Sequence, residues 1–126
     1  SMEKIVLDTS FLLAVFQLKL DIFSEIADLC DFPYQLYVLD RSLDELEKLI
    51  KTSSLPQKKA AIFAQKIVAS GKIQVLQTPE RGSVDDILAD KTECIIATID
   101  GGLKRRIKAK GGRVITVRQK KYLIFT

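Results

Sequence analysis

The chain of 126 residues contains no histidine and only two cysteines. The missing histidine removes several chemistries together: Ser-His-Asp triads, Cys-His pairs, His-ligated zinc hydrolysis and imidazole acid–base cleavage of RNA. Hydrolysis by this protein must therefore rest on carboxylates, lysine or metal. Cys30 and Cys94 sit in apolar contexts and lack the CxxC spacing of a zinc site, so they read as reduced core residues. No apolar run approaches the roughly 20 residues of a membrane span, and no charged-then-apolar leader precedes a small-residue cleavage site. These absences predict a soluble, cytoplasmic protein with no membrane partner. A GxxxxGK[ST] phosphate loop is also missing, which excludes nucleotide hydrolysis of that type.

What is present suits one α/β domain over 1–126, with Ser1 read as a tag scar. The net charge of +4 conceals an asymmetry. Residues 101–126 carry nine Lys or Arg and no acid, whereas residues 1–100 carry eleven basic and sixteen acidic groups. An acidic body with a basic end suits a metal site beside a polyanion-binding surface, and equally a solvated basic tail.

Lys4-Ile5-Val6-Leu7 reads as a buried strand that ends at Asp8-Thr9-Ser10. An apolar helical segment, 11–20, follows it, and a helix over 21–30 stops at Asp31-Phe32-Pro33. Residues 35–39 form a second strand. Ser42-Leu43-Asp44-Glu45 matches a capping box and so predicts a helix opening at Ser42. A helix from Pro56 carries a buried stripe of Ala60, Phe63, Ala64, Ile67 and Val68 and ends at Gly71. Strands are predicted at 73–76, 94–98 and 114–117, with a further edge strand at 122–125. A turn-rich loop over 77–82, a short helix from Ser83 and a basic helix over 103–110 lie between them. Continuous apolar strands alternating with helices imply a parallel sheet covered on both faces.

In such sheets ligands bind beyond the carboxyl ends of the strands. Asp8 follows the first strand and Asp100 the fourth, while Glu45 and Asp85 lie near the starts of helices leaving the same edge. Four clustered carboxylates repel one another unless a cation joins them. Mg²⁺ or Mn²⁺, which prefer oxygen ligands, fit this set and would supply water activation and leaving-group stabilisation without histidine. Each acid also has a plainer reading. Asp8 can cap the following helix, and Glu45 can complete the capping box, as Asp86 can after Ser83. Asp85 and Asp100 can serve helix dipoles or turns. Their joint placement is what favours metal. Ser10 stands where a haloacid-dehalogenase-type phosphatase needs a second Asp. Gln77-Thr78-Pro79 stands where a phosphorylation receiver domain needs an acid.

The segments Ile5-Val6-Leu7-Asp8-Thr9-Ser10-Phe11, Leu43-Asp44-Glu45-Leu46-Glu47-Lys48-Leu49, Val84-Asp85-Asp86-Ile87-Leu88 and Ala97-Thr98-Ile99-Asp100-Gly101-Gly102-Leu103 resemble, in order, the four motifs of the PIN-domain family. The resemblance implies a three-layer α/β/α fold with strand order 3-2-1-4-5. It also implies Mg²⁺- or Mn²⁺-dependent endonuclease activity on RNA. Asp8, Glu45, Asp85 and Asp100 would be the catalytic metal-binding acids, and Thr98 a supporting hydroxyl on the substrate side. Lys104, Arg105 and Lys108, on the helix after Asp100, would contact RNA phosphates, with Arg106 on the opposite face.

The double Asp85-Asp86, the run Leu103-Lys104-Arg105-Arg106 and the basic close resemble the ribosomal-RNA-processing branch. Its partners would be a ribosomal RNA precursor and ribosome-assembly factors. VapC toxins share the acids, a non-cleaving RNA-binding module would share the fold, and homodimers occur among the relatives. One feature departs from the family pattern. Asp85 to Asp100 spans only fifteen positions, so the helix after Asp85 shrinks to about two turns. Asp90 and Glu93 in that stretch can replace a ligand or, as favoured, remain surface acids.

Overall fold

The computed structural model describes residues 2–79 and 81–126. Ser1 lies outside the described residues, as does Glu80 in the 77–82 loop. The elements run β1 (Glu3–Leu7), α1 (Thr9–Gln17), α2 (Ile22–Leu29), β2 (Tyr34–Leu39), α3 (Asp40–Thr52), α4 (Leu55–Val68), β3 (Ile73–Leu76), α5 (Val84–Asp90), β4 (Ile95–Ala97), α6 (Gly101–Ala109), β5 (Arg113–Arg118) and β6 (Tyr122–Phe125).

They build one sheet of order β3-β2-β1-β4-β5-β6. Its first five strands are parallel, and β6 returns antiparallel to β5. The expected order 3-2-1-4-5 is thus observed, with the sixth strand at the edge.

The pleat sends alternate side chains to opposite faces. Ile5 and Leu7 of β1, with Ile95 and Ala97 of β4, pack beneath the side chains of α1, α2 and α4. Val6 and Ile96, from the same strands, pack on the other face against Leu88 of α5 and Leu103 and Ile107 of α6. Both faces of the central strands are therefore dry, which is why these strands read as unbroken apolar runs. Cys30 and Cys94 are buried and unbridged, as their apolar contexts predicted.

Two sequence expectations change. Helix α3 begins at Asp40, directly after β2, and Ser42 lies inside it. Ser42 is fully buried and its hydroxyl has no partner among the described residues, so it is not a cap. The strand runs into the helix without a loop, and Asp40 takes over the anchoring. Its Oδ1 accepts from the Arg41 N–H at 2.9 Å, the Thr78 N–H at 3.2 Å and the Thr78 hydroxyl at 2.6 Å. The second change is on α4, whose buried face is Ala60, Ala61 and Ala64, with Phe63 exposed. Small side chains let α4 approach α1 and α3 closely, and Phe63 instead meets the ring of Phe16 in a tilted contact, centroids 4.8 Å apart.

Candidate active site

Asp8 occupies the N-cap position of α1, yet its carboxylate makes no capping hydrogen bond. Instead the Ser10 and Thr98 hydroxyls both donate to Oδ2, each at 2.7 Å. A hydroxyl carries one proton. Both protons therefore serve the same Asp8 oxygen, and the 3.2 Å contact between Ser10 Oγ and Thr98 Oγ1 has no proton of its own. Asp8 is buried, at 7% exposure, and Thr98 completely so. The carboxylate is thus fixed through Oδ2, while Oδ1 has no hydrogen-bond partner among the described residues. The simple cap reading of Asp8 fails on this geometry.

The register of the central strands makes this arrangement possible. Leu7 pairs with Ala97 across β1 and β4, so the residues that follow, Asp8 and Thr98, leave the sheet side by side. The chain then alternates. Thr98 turns inward and Ile99 outward, with Ile99 exposed at the surface. Asp100 returns to cap α6, its Oδ1 accepting from the Leu103 N–H at 2.9 Å. Asp100 therefore does cap a helix, through one of its two oxygens. Gly102 leaves room for it, because a Cβ there would sit 3.3 Å from Asp100 Oδ1.

Asp85 arrives from the far side on α5. Ser83 caps that helix by accepting from the Asp86 N–H at 3.0 Å. The Asp86 carboxylate pairs with Arg106 at 2.6 Å, which is why Asp85, and not Asp86, faces the other acids. The loop before α5 is tied down by Arg41, whose guanidinium donates to the carbonyls of Pro79 and Gly82. Two residues at the start of α3 therefore hold the segment that carries Asp85.

A polar depression of about 370 Å³ results, lined by Asp8, Thr9, Ser10, Glu45, Gln57, Asp85 and Asp100, with Leu13 and Leu49 as its apolar wall. All four expected acids line it. The Asp85 carboxyl is pushed above the ordinary aspartate range, first by desolvation and then by repulsion from Asp100 and Asp8; Arg106 opposes this. The carboxylates therefore sense one another across the depression. Among the described residues no three of them stand close enough to hold an ion jointly. Mg²⁺ tolerates that, since it keeps several waters and needs only one or two direct carboxylates. The donor set is all oxygen, as Mg²⁺ and Mn²⁺ require. Thr9 Oγ1 adds a buried hydroxyl with no partner among the described residues. The residues present fit such an ion.

The expected phosphate-binding residues scatter. Arg105 folds back over the start of α6, its Nη1 3.3 Å from where a Cβ on Gly101 would stand, which places it beside Asp100. Lys104 is half-buried on the same helix. Lys108 reaches towards Thr126 Oγ1 at 3.4 Å, close to β6. Thr98, expected on the substrate side, lies beneath Asp8 without surface exposure and acts on the carboxylate. Arg106, expected on the opposite face, bridges to Asp86. Asp90 pairs with Lys110, and Glu93 is exposed, so neither lines the depression.

Thr9, Ser10 and Gln57 are the polar lining residues that sequence reasoning missed. Thr9 carried a signal in its place beside Asp8. Gln57 carried none, because its position depends on how α4 packs on α1 and α3.

Comparison with known proteins agrees with this fold. A family described as "PIN like domain" matches residues 5–120. Ribonuclease VapC4 of Methanocaldococcus jannaschii is 29% identical over 124 residues, 96% of this chain and 95% of the relative. Ribonuclease VapC9 of Archaeoglobus fulgidus is 33% identical over 108 residues, 84% of this chain and 76% of the relative. Among solved structures, the PIN domain endonuclease Utp24 superposes with a TM-score of 0.78 at 22% identity, covering 97% of this chain and 90% of that one. A domain of a functionally unknown protein from Methanocaldococcus jannaschii gives a TM-score of 0.61 at 16% identity, covering 92% and 91%. The sequence relatives are ribonucleases, and the structural neighbours share the fold. This chain belongs to the PIN-domain family.

Proposed function

We propose that the protein is a metal-dependent endoribonuclease of the VapC type, with Asp8, Glu45, Asp85 and Asp100 as the acids that hold Mg²⁺ or Mn²⁺. The observation that carries this reading is the Asp8 carboxylate. It is buried and held by two hydroxyls on Oδ2, in a depression that it lines together with three further acids. A bound divalent ion supplies Lewis-acid charge and an activated water at neutral pH. Ser10 and Thr98 hold the Asp8 carboxylate in its orientation. Asp100 keeps one oxygen on the α6 backbone and has the other available. Lys104 and Arg105 draw the RNA backbone to the rim. Glu45 from α3 and Gln57 from α4 also line the depression, where Gln57 would position the phosphodiester or its water.

The test is cleavage of RNA by the purified protein with Mn²⁺ or Mg²⁺. The expected result is metal-dependent product with 5′-phosphate ends, lost in Asp8→Asn and in Asp100→Asn. An Asp8→Asn variant that cuts as well as wild type would refute the assignment. Growth arrest on expression would support a toxin-like role.

The nine cations in 101–126 favour a second reading of the substrate, a structured ribosomal RNA precursor. Preferential cutting of such an RNA over an unstructured one supports it, and equal cutting of both removes it.

A further inference from the structure

Next to the acidic depression, on the other side of Ile99, lies a second groove, open and of about 520 Å³, with Ala14, Leu18, Ile99 and Val117 as its apolar floor. Gln17, Gln119 and Lys120 complete its lining. Its volume falls within the range of ordinary ligand sites. We infer that this groove receives an unpaired RNA base adjoining the cleaved phosphodiester. The inference rests on the endoribonuclease reading and extends it to how the strand lies.

Three observations point to that occupant. The first is continuity with the acidic site. Ile99 stands between Thr98, which donates to Asp8, and Asp100. Its own N–H donates to Ser10 Oγ at 3.3 Å, and Ser10 lines the acidic depression. On α1, Ser10 shares a face with Ala14, Gln17 and Leu18, so one helix face runs from the acids into the groove. A strand with a phosphate at Asp8 and Asp100 therefore has its neighbouring base over Ile99.

The second observation is the lining chemistry. A nucleobase offers flat apolar faces and polar edges. The groove offers an aliphatic floor with two amides, Gln17 and Gln119, that can pair with a base edge in both directions.

The third is charge. Lys120 is the charged residue of the lining, and Arg118 at the end of β5 and Lys121 on the β5–β6 turn are exposed near it in the chain. This suits a phosphate backbone, and it opposes the acidic depression across the width of one residue.

The inference is tested by binding without metal, which keeps it separate from cleavage. A fluorescent single-stranded RNA and versions carrying one abasic nucleotide at each position are titrated in EDTA, following anisotropy, against wild type, Ile99→Ala and Gln119→Ala. One abasic position is expected to weaken wild-type binding roughly tenfold. In Ile99→Ala the same position should cost less than about twofold, the non-additivity of partners in contact. Equal abasic penalties in wild type and variants, or no binding by wild type, would overturn the inference. So would an Ile99→Ala variant that changes the sedimentation of the protein but not RNA binding, because the groove would then seat a second copy. If wild type shows the base dependence yet cuts no RNA with either metal, the nuclease reading falls while the groove stands as a binding site.

Discussion

At the scale of single residues, the acids differ in what their surroundings ask of them. Asp8 accepts from two hydroxyl donors and Asp100 from a backbone donor. Asp85 has neither. Its carboxyl loses hydration against the depression and faces Asp100 and Asp8, so its proton is held above the ordinary aspartate range. A raised folded-state value means that the native protein binds more protons than the unfolded chain in that interval. Stability contributed by neutral Asp85 is therefore present at low pH and lost as pH rises through the raised value. The expected consequence is a pH-dependent gain from Asp85→Asn in the metal-free protein. Below the ordinary aspartate range the variant and wild type should melt together, and above the raised value the variant should melt higher. Thermal melts in EDTA across that interval read the difference directly. Saturating Mn²⁺ should remove or reverse it by stabilising wild type alone. A variant that melts lower than wild type throughout would show that Asp85 is not repelled by its neighbours.

At the scale of elements, the helices were readable where periodicity and caps agreed, and misread where a strand ran straight into a helix. Strands β1, β3 and β6 were legible as apolar runs, and α5 as the two-turn helix that the short Asp85–Asp100 interval implied. The start of α3 was not. A Ser-x-x-Glu pattern arises by chance inside helices, and only the absence of a loop after Leu39 shows Ser42 to be interior. Asp8 and Asp100 were legible because both follow strands. Gln57, and the Asp86–Arg106 pair that leaves Asp85 facing the site, were not, since each depends on packing between elements far apart in sequence.

The end of α6 gives this scale its own test. Gly111 takes φ +79°, its N–H donates to Lys108 O at 3.0 Å and the Gly112 N–H to Ile107 O at 2.9 Å, closing the helix in a Schellman motif. A Cβ on Gly112 would lie 2.6 Å from Ile107 Cγ2 and 3.1 Å from its carbonyl oxygen. Ile107 is buried, so it has little room to yield. Gly112→Ala is therefore expected to cost about 1–3 kcal/mol by overpacking, read as a shifted urea midpoint with unchanged slope. An unchanged midpoint would show that α6 and β5 are not held this closely.

At the scale of the whole molecule, the charge asymmetry of the sequence becomes an asymmetry in space. Residues 101–126 build α6, β5 and β6, and the two strands form one margin of the sheet. Three of the nine cations there are matched: Arg106 by Asp86, Lys110 by Asp90 and Arg113 by Glu3. The remaining six, among them Lys104 and Arg105, have no carboxylate partner among the described residues. Only unmatched cations release counterions from RNA in full when they bind, so the two groups should differ in salt dependence. Each phosphate neutralised on a single strand contributes about 0.7 to the slope of log affinity against log salt. The double variant Lys104→Ala, Arg105→Ala is expected to flatten that slope by about 1.4, with stability within about 0.5 kcal/mol of wild type. Lys110→Ala, which removes a cation already matched by Asp90, should flatten it far less. Titrations of RNA binding over a KCl series in EDTA distinguish the two. If both variants flatten the slope equally, RNA senses the basic margin as diffuse charge, and the rim at Asp100 has no special hold on the backbone.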